Sequence, residues 1–164
     1  MLLQLKPLFM GEVSSFPIDV QLDLSNVEFQ GMHPFVQPVK VKGEATETAG
    51  IVTLRMAISY CFNGQCDRCA EPYLREGRLS VEHILVAALD DEENDDYVLL
   101  DNFRLLLDEL VTADLILGLP SKNLCRTDCR GLCPRCGKNL NEGLCGCRSD
   151  TVDPRLEALR QLIN

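Results

Sequence analysis

Nine cysteines in a chain of 164 residues constrain the fold more than any other feature. Eight of them fall into short groups: Cys66-x-x-Cys69, then Cys125, Cys129, Cys133, Cys136, Cys145 and Cys147. The chain opens MLLQLKPLFMGE, without the charged start, long apolar stretch and small-residue cleavage site of a secretory leader. No run of about 18 apolar residues is present, so no membrane span is expected. The expected location is cytoplasmic, where thiols stay reduced. Clustered cysteines there point to metal ligation or redox work before structural disulfides.

The spacing favours metal. Two residues between thiolates let the backbone fold back so that both sulfurs meet one ion while amide N–H groups point at them. Cys133-Pro134-Arg135-Cys136-Gly137 is the more specific of two such knuckles, because Gly137 supplies the left-handed backbone that a knuckle favours. Cys66-Asp67-Arg68-Cys69 echoes it. Cys145-Gly146-Cys147 follows, and in an extended segment residues two apart share a face. Cys133, Cys136, Cys145 and Cys147 therefore suffice for one tetrahedral Zn²⁺. Cys125 and Cys129 could join Cys66 and Cys69 in a second site that pins the tail to a hairpin tip. A different four of the six tail cysteines could instead make a single site. One or two zinc ions are expected, with iron the less favoured metal. Cys61 is left over, and strand alternation suggests a small buried apolar residue. A four-thiolate zinc is coordinatively closed and structural, and it stabilises a tail too polar and glycine-rich to fold alone.

Residues 1 to about 100 read as β-rich. Val36–Thr48 alternates in places and ends at the turn Ala49-Gly50, and IVTLRMAISYCF (Ile51–Phe62) is rich in β-branched and apolar residues. Asn63-Gly64 is a hairpin signal. From Tyr73 to Leu89, Leu79, Val81, Leu85 and Leu89 alternate with Arg78, Ser80 and Glu82. Six carboxylates in residues 90–96 read as a solvated loop. Asp101–Leu119 reads as a long helix with Asp101 as N-cap, a stripe of Leu105, Leu106, Glu109, Leu110, Ala113 and Leu117, and Gly118 and Pro120 as its stop. Further apolar residues (Leu107, Val111, Leu115, Ile116) suggest burial on most sides. Asp114 is expected on an exposed polar stripe with Asp108. Pro154–Ile163 reads as a short C-terminal helix. The expected architecture is α+β. Residues 1–120 form a β-rich body, an antiparallel sheet or partly closed barrel with one long covering helix at 101–119. Residues 121–164 form a cysteine-rich zinc element and a C-terminal helix packed on that body.

The net charge is −9, which argues against simple coating of nucleic acid but leaves room for a local basic patch. Residues 1–121 hold 8 basic and 20 acidic side chains, −12. Lys122–Arg148 hold six basic (Lys122, Arg126, Arg130, Arg135, Lys138, Arg148) and two acidic, +4. Each four-thiolate zinc unit would add −2 to that. Arg126, Arg130, Arg135 and Lys138 are candidate contacts to RNA phosphate or a partner; the competing reading is screening of the thiolates. The only histidines are His33 and His83. There is no Cys-His pair, Gly-x-Ser-x-Gly, phosphate-cradling glycine loop or His-Glu-x-x-His, so no catalytic residues are assigned and no enzyme is expected.

The tail LCRTDCRGLCPRCGKNLNEGLCGC, followed by DPRLEAL, resembles the cysteine-bearing branch of the YceD family, the large ribosomal RNA subunit accumulation proteins. Cys66-Asp67-Arg68-Cys69 with Glu71-Pro72 looks like the family's Cys-x-Arg-Cys element, although Ala70 stands where Leu is common. The helix ending LILGLP is similar to its acidic-apolar segment, with Asp114 where the family often has Glu. The likeness covers about residues 36–160. It implies a cytoplasmic, non-enzymatic ribosome biogenesis factor. Its implied partners are a precursor large subunit, ribosomal RNA or a basic ribosomal protein, with no membrane and no small-molecule substrate. Because some members lack the tail cysteines, the resemblance implies that zinc supports the fold in this branch. The alternative reading is a zinc-thiolate redox switch or chaperone-like protein, since thiolate reactivity rises beside arginine and Arg68 and Arg135 lie inside the knuckles.

Overall fold

The computed structural model describes residues 1–88 and 97–147. The acidic run 90–96 and the C-terminal helix expected at 154–163 lie outside the described residues. So do Leu89 and Arg148. The element order is β1 (Leu2–Gln4), α1 (Lys6–Phe9), β2 (Ser15–Leu22), β3 (Val39–Thr48), β4 (Ile51–Gln65), β5 (Pro72–Val86), β6 (Tyr97–Leu99), β7 (Arg104–Leu106) and α2 (Leu107–Gly118).

Strands β2 to β5 form an antiparallel meander in sequence order, and β6 adds in parallel to β5. The mostly β molecule curls this sheet into a half-barrel. Alternation sets its inner face. In β4, Val52, Leu54, Met56 and Ile58 are buried, and they face Leu85, His83, Val81 and Leu79 of β5 across the ladder. Val39, Val41 and Ala45 of β3 and Ile18 and Leu22 of β2 extend the same face. Leu5 and Leu8, at the short α1, are fully buried in the same cluster. Each such side chain contributes about 1.5–3 kcal/mol by leaving water.

Helix α2 departs from expectation. It spans 12 residues from Leu107 rather than the stretch from Asp101. Asn102 and Phe103 adopt left-handed backbone (φ 52° and 61°), and the Arg104 amide donates to the Asp101 carbonyl at 2.9 Å. That tight turn sends Arg104–Leu106 into an antiparallel pair with β1, Leu3 opposite Leu105. Strand pairing by the first residues thus overrides a local helical pattern, and Asp101 caps nothing. The buried positions of α2 are Leu107, Val111 and Leu115, at i, i+4 and i+8, while Leu117 is 84% exposed. The buried stripe is therefore rotated about the helix from the expected one. Asp114 is not on an exposed stripe: its Oδ2 lies 3.0 Å from His83 Nε2, with side chains only 10% and 21% exposed. This pair links α2 to β5.

Asn63-Gly64 is not a turn either. Strand β4 runs through it, pairing Asn63 with Leu74 and Gly64 with Tyr73. Gly64 leaves room for packing: a Cβ there would stand 2.2 Å from a ring carbon of Phe62. The hairpin closes instead through Cys66–Glu71, so the first knuckle is the turn between two 15-residue strands. Cys61 has the parity of the outer face of β4, opposite Glu76, and is half-buried rather than a core residue. Among the described residues no helix is long and apolar enough to cross a membrane.

Candidate metal centres

All nine cysteines are free, and eight of them form two compact groups. Cys66, Cys69, Cys125 and Cys129 make one; Cys133, Cys136, Cys145 and Cys147 make the other. Within each group every Sγ lies within 4.8 Å of the other three. A tetrahedral ion with metal–sulfur bonds of about 2.3 Å needs sulfur–sulfur edges of about 3.8 Å. In the first group Cys66 and Cys129 Sγ are 3.8 Å apart, and Cys69 and Cys125 Sγ are 3.7 Å apart. The donor set and its spacing fit a four-coordinate thiophilic ion in each group.

The knuckle backbone is built for thiolates. Burial would raise the Cys66 thiol, but N–H groups of Cys125, Cys69 and Arg68 outweigh it and hold its pKa at about 6. N–H groups of Cys136 and Arg135 lower Cys133 to about 6. The Asn141 side-chain amide, donating at 3.4 Å, lowers Cys129. Other members move the opposite way. Burial and the neighbouring thiols push Cys125 up to about 12, and hydrogen bonding with Cys136 pushes Cys147 up to about 12. Four sulfurs this close cannot all ionise without a cation among them, which is how a dication would be selected.

The first group, here the inner one, holds the tail to the hairpin tip. Cys66, Cys69 and Cys129 are buried and pack with Tyr73 and Leu124 in a small cluster separate from the main core. The Asp67 amide donates to the Asn123 carbonyl at 2.8 Å, and the Asn123 amide donates to Asp67 Oδ2 at 2.7 Å. Arg68 donates to the Cys129 carbonyl at 2.8 Å, and the Leu132 amide donates to the Arg68 carbonyl at 3.0 Å. Arg75 reaches the Leu124 carbonyl and lies 5.1 Å over the Tyr73 ring. The Arg68 side chain thus ties the tail backbone to the hairpin tip, while its amide serves Cys66. Gly131 permits the close approach: with φ +74°, its Cβ would stand 2.9 Å from the Arg68 carbonyl.

The basic candidates sit around this element. Arg126 pairs with Asp128 at 3.5 Å. Lys138 Nζ donates to the Leu144 carbonyl at 3.3 Å, and Arg130 and Arg135 are exposed. Asn139 and Asn141, which the sequence alone does not single out, lie between the halves of the second, outer group. Asn141 Nδ2 donates to Cys129 Sγ while its Oδ1 accepts from the Arg130 amide at 2.8 Å. Asn139 Nδ2 donates to Glu71 Oε1 at 2.8 Å. The available signal is the Asn-Leu-Asn that stands between Cys136 and Cys145 in the tail.

Uncharacterized proteins of Mycobacterium bovis and of two Mycobacterium tuberculosis strains are each 32% identical over 106 residues, 61% of this chain and 50% of theirs. The chain thus spans about half the length of these curated relatives. No solved structure matches it. The model of the family described as large ribosomal RNA subunit accumulation protein YceD matches residues 54–163, a span that takes in both cysteine groups, most of the β4–β5 hairpin and α2. The chain belongs to the YceD family.

Proposed function

We propose that this protein is a cytoplasmic, non-enzymatic factor supporting accumulation of large-subunit ribosomal RNA, acting by docking on a precursor large subunit, its RNA or a basic ribosomal protein. The family match over residues 54–163 carries the reading. Each cysteine group holds one zinc ion in it. Four thiolates close the coordination sphere and leave no position for substrate water, so the ions brace a binding surface. The acidic body complements a basic ribosomal protein, and the tail supplies cationic side chains for phosphate. Docking through Arg130, Arg135 and Lys138 explains why these exposed groups sit on a metal-braced loop: the brace fixes charges that would otherwise be mobile.

The test is co-sedimentation of tagged protein with ribosomal precursor fractions, with cross-links mapped to RNA and protein. Reversing Arg130 and Arg135 to Glu together should weaken binding with bound zinc unchanged. The salt dependence should flatten by roughly 0.7–0.9 in log–log slope for each phosphate that the variant no longer neutralises. Unchanged binding would reduce the tail to a staple, and absence of the protein from every precursor fraction would sink the docking reading.

A further inference from the structure

The two cysteine groups differ in access. In the inner group three of four cysteines are buried and Cys125 is half-buried; in the outer group only Cys133 is buried, while Cys136 and Cys147 are exposed. The inner group is held on both sides by the hairpin tip. The outer group is closed by its own loop, through the Cys133 amide donating to the Lys138 carbonyl at 2.8 Å and Lys138 reaching Leu144, with Asn139 tying that loop to Glu71 of the hairpin tip. The two groups are also joined. Asn139-Leu140-Asn141 lies between Cys136 and Cys145, and from that loop Asn141 donates to the inner sulfur of Cys129. Asn139 Oδ1 accepts from both the backbone and side-chain nitrogens of Asn141, at 3.0 and 2.8 Å, and fixes its orientation.

We propose that the outer group is a peroxide-reactive thiol site whose oxidation expels its metal and, through Asn141, loosens the inner centre. The inference rests on the reading that both groups hold zinc. An exposed thiolate attacks hydrogen peroxide, the O–O bond breaks, and a sulfenic acid and hydroxide form. A second outer thiolate displaces the sulfenic oxygen as a second hydroxide and closes the disulfide. Two electrons pass from sulfur to oxygen, and solvent protons turn both hydroxides into water. Zinc is redox-inert and departs as the hydrated dication when two of its four ligands are oxidised. The loop between Cys136 and Cys145 then loses its brace, and Asn141 no longer holds its donor against Cys129. Asn141 is a positioning residue here, orienting and stabilising a ligand sulfur without touching the oxidant.

The experiment uses the full chain carrying two zinc ions, treated with hydrogen peroxide. Zinc release is read by a chromogenic chelator, and thiols are trapped by alkylation and mapped by mass spectrometry. The first zinc should leave at least about tenfold faster than the second, with the disulfide confined to Cys133, Cys136, Cys145 and Cys147. Cys129 should become open to alkylation once that disulfide has formed. Asn141→Leu should leave the first release rate unchanged and make Cys129 open to alkylation before that disulfide has formed. Simultaneous release, or a disulfide first among Cys66, Cys69, Cys125 and Cys129, overturns the assignment of the reactive site. Unaltered Cys129 alkylation in the unmutated chain overturns the coupling, whether or not the Asn141 variant folds. Two ions released together sink this inference alone; a chain that binds no zinc sinks the metal reading beneath it as well.

Discussion

Ala70 and Gly137 occupy the same place, one residue after the second cysteine of each knuckle, and both have left-handed backbone, φ 59° and 70°. Gly137 does so without strain; Ala70 bears a Cβ that this conformation disfavours. Ala70→Gly should therefore stabilise the zinc-loaded protein by about 1 kcal/mol, read as a higher urea midpoint at unchanged slope. Gly131 predicts the opposite. Its φ of +74° and the Arg68 carbonyl 2.9 Å from any Cβ leave no room for Ala. Gly131→Ala should cost about 1–3 kcal/mol and push the tail off the hairpin tip, visible as faster exchange of the Leu132 amide, which donates to that carbonyl. At this scale the cysteines were legible and the asparagines were not. Spacing of two residues is a local constraint that any ion imposes on its ligands. The partners of Asn141 and Asn139 lie 12 residues away at Cys129 and 68 away at Glu71, and only the folded chain brings them near.

Among the elements, strands that alternate were readable and elements fixed by distant pairing were not. Val52, Leu54, Met56 and Ile58 repeat with the period of the pleat, so β4 and its inner face follow from the sequence. Residues 101–106 continue the apolar pattern of 107–118 through Leu105 and Leu106, but the left-handed turn at Asn102-Phe103 and the pairing of Leu2–Gln4 with Arg104–Leu106 take them out of the helix. Asn63-Gly64 misled for a related reason, since glycine serves close packing as readily as it serves a turn. The His83–Asp114 pair is a further consequence of tertiary placement, joining α2 to β5 where the side chains are mostly shielded from water. Removing one partner leaves the other short of a hydrogen bond in a poorly hydrated spot. Asp114→Ala should lower stability by about 1–3 kcal/mol, and Asp114→Asn, which keeps an acceptor, by less. Urea unfolding of the two variants checks this, and equal losses would show that the pairing contributes little.

For the whole molecule, the separation of the main core from the cysteine groups sets what acid or a chelator would do. The main core draws on α1, the sheet and α2 and contains no cysteine, whereas the cysteines of the inner group form a separate cluster. Stripping the metal should leave the far-ultraviolet signature of the strands in place while residues 121–147 lose their fixed amide shifts. Proton competition should do the same. The folded chain holds Cys66 at about 6, below the ordinary thiol value of 9.0, so its contribution to stability is complete above pH 9, shrinks as pH falls, and is gone below about 6. Cys125, pushed up to about 12, works in the other direction in the metal-free chain, and Cys69 is raised as well. Near neutral pH both carry protons that an incoming ion must displace. Binding at the inner centre should release about two to three protons, so its affinity should fall by about two to three orders of magnitude per pH unit of acidification around pH 7. Zinc competition against a chelator of known proton dependence at pH 6.5 and 7.5 measures that slope. A slope near zero would mean that the ion meets four sulfurs already ionised, contrary to the mutual repulsion that their packing imposes.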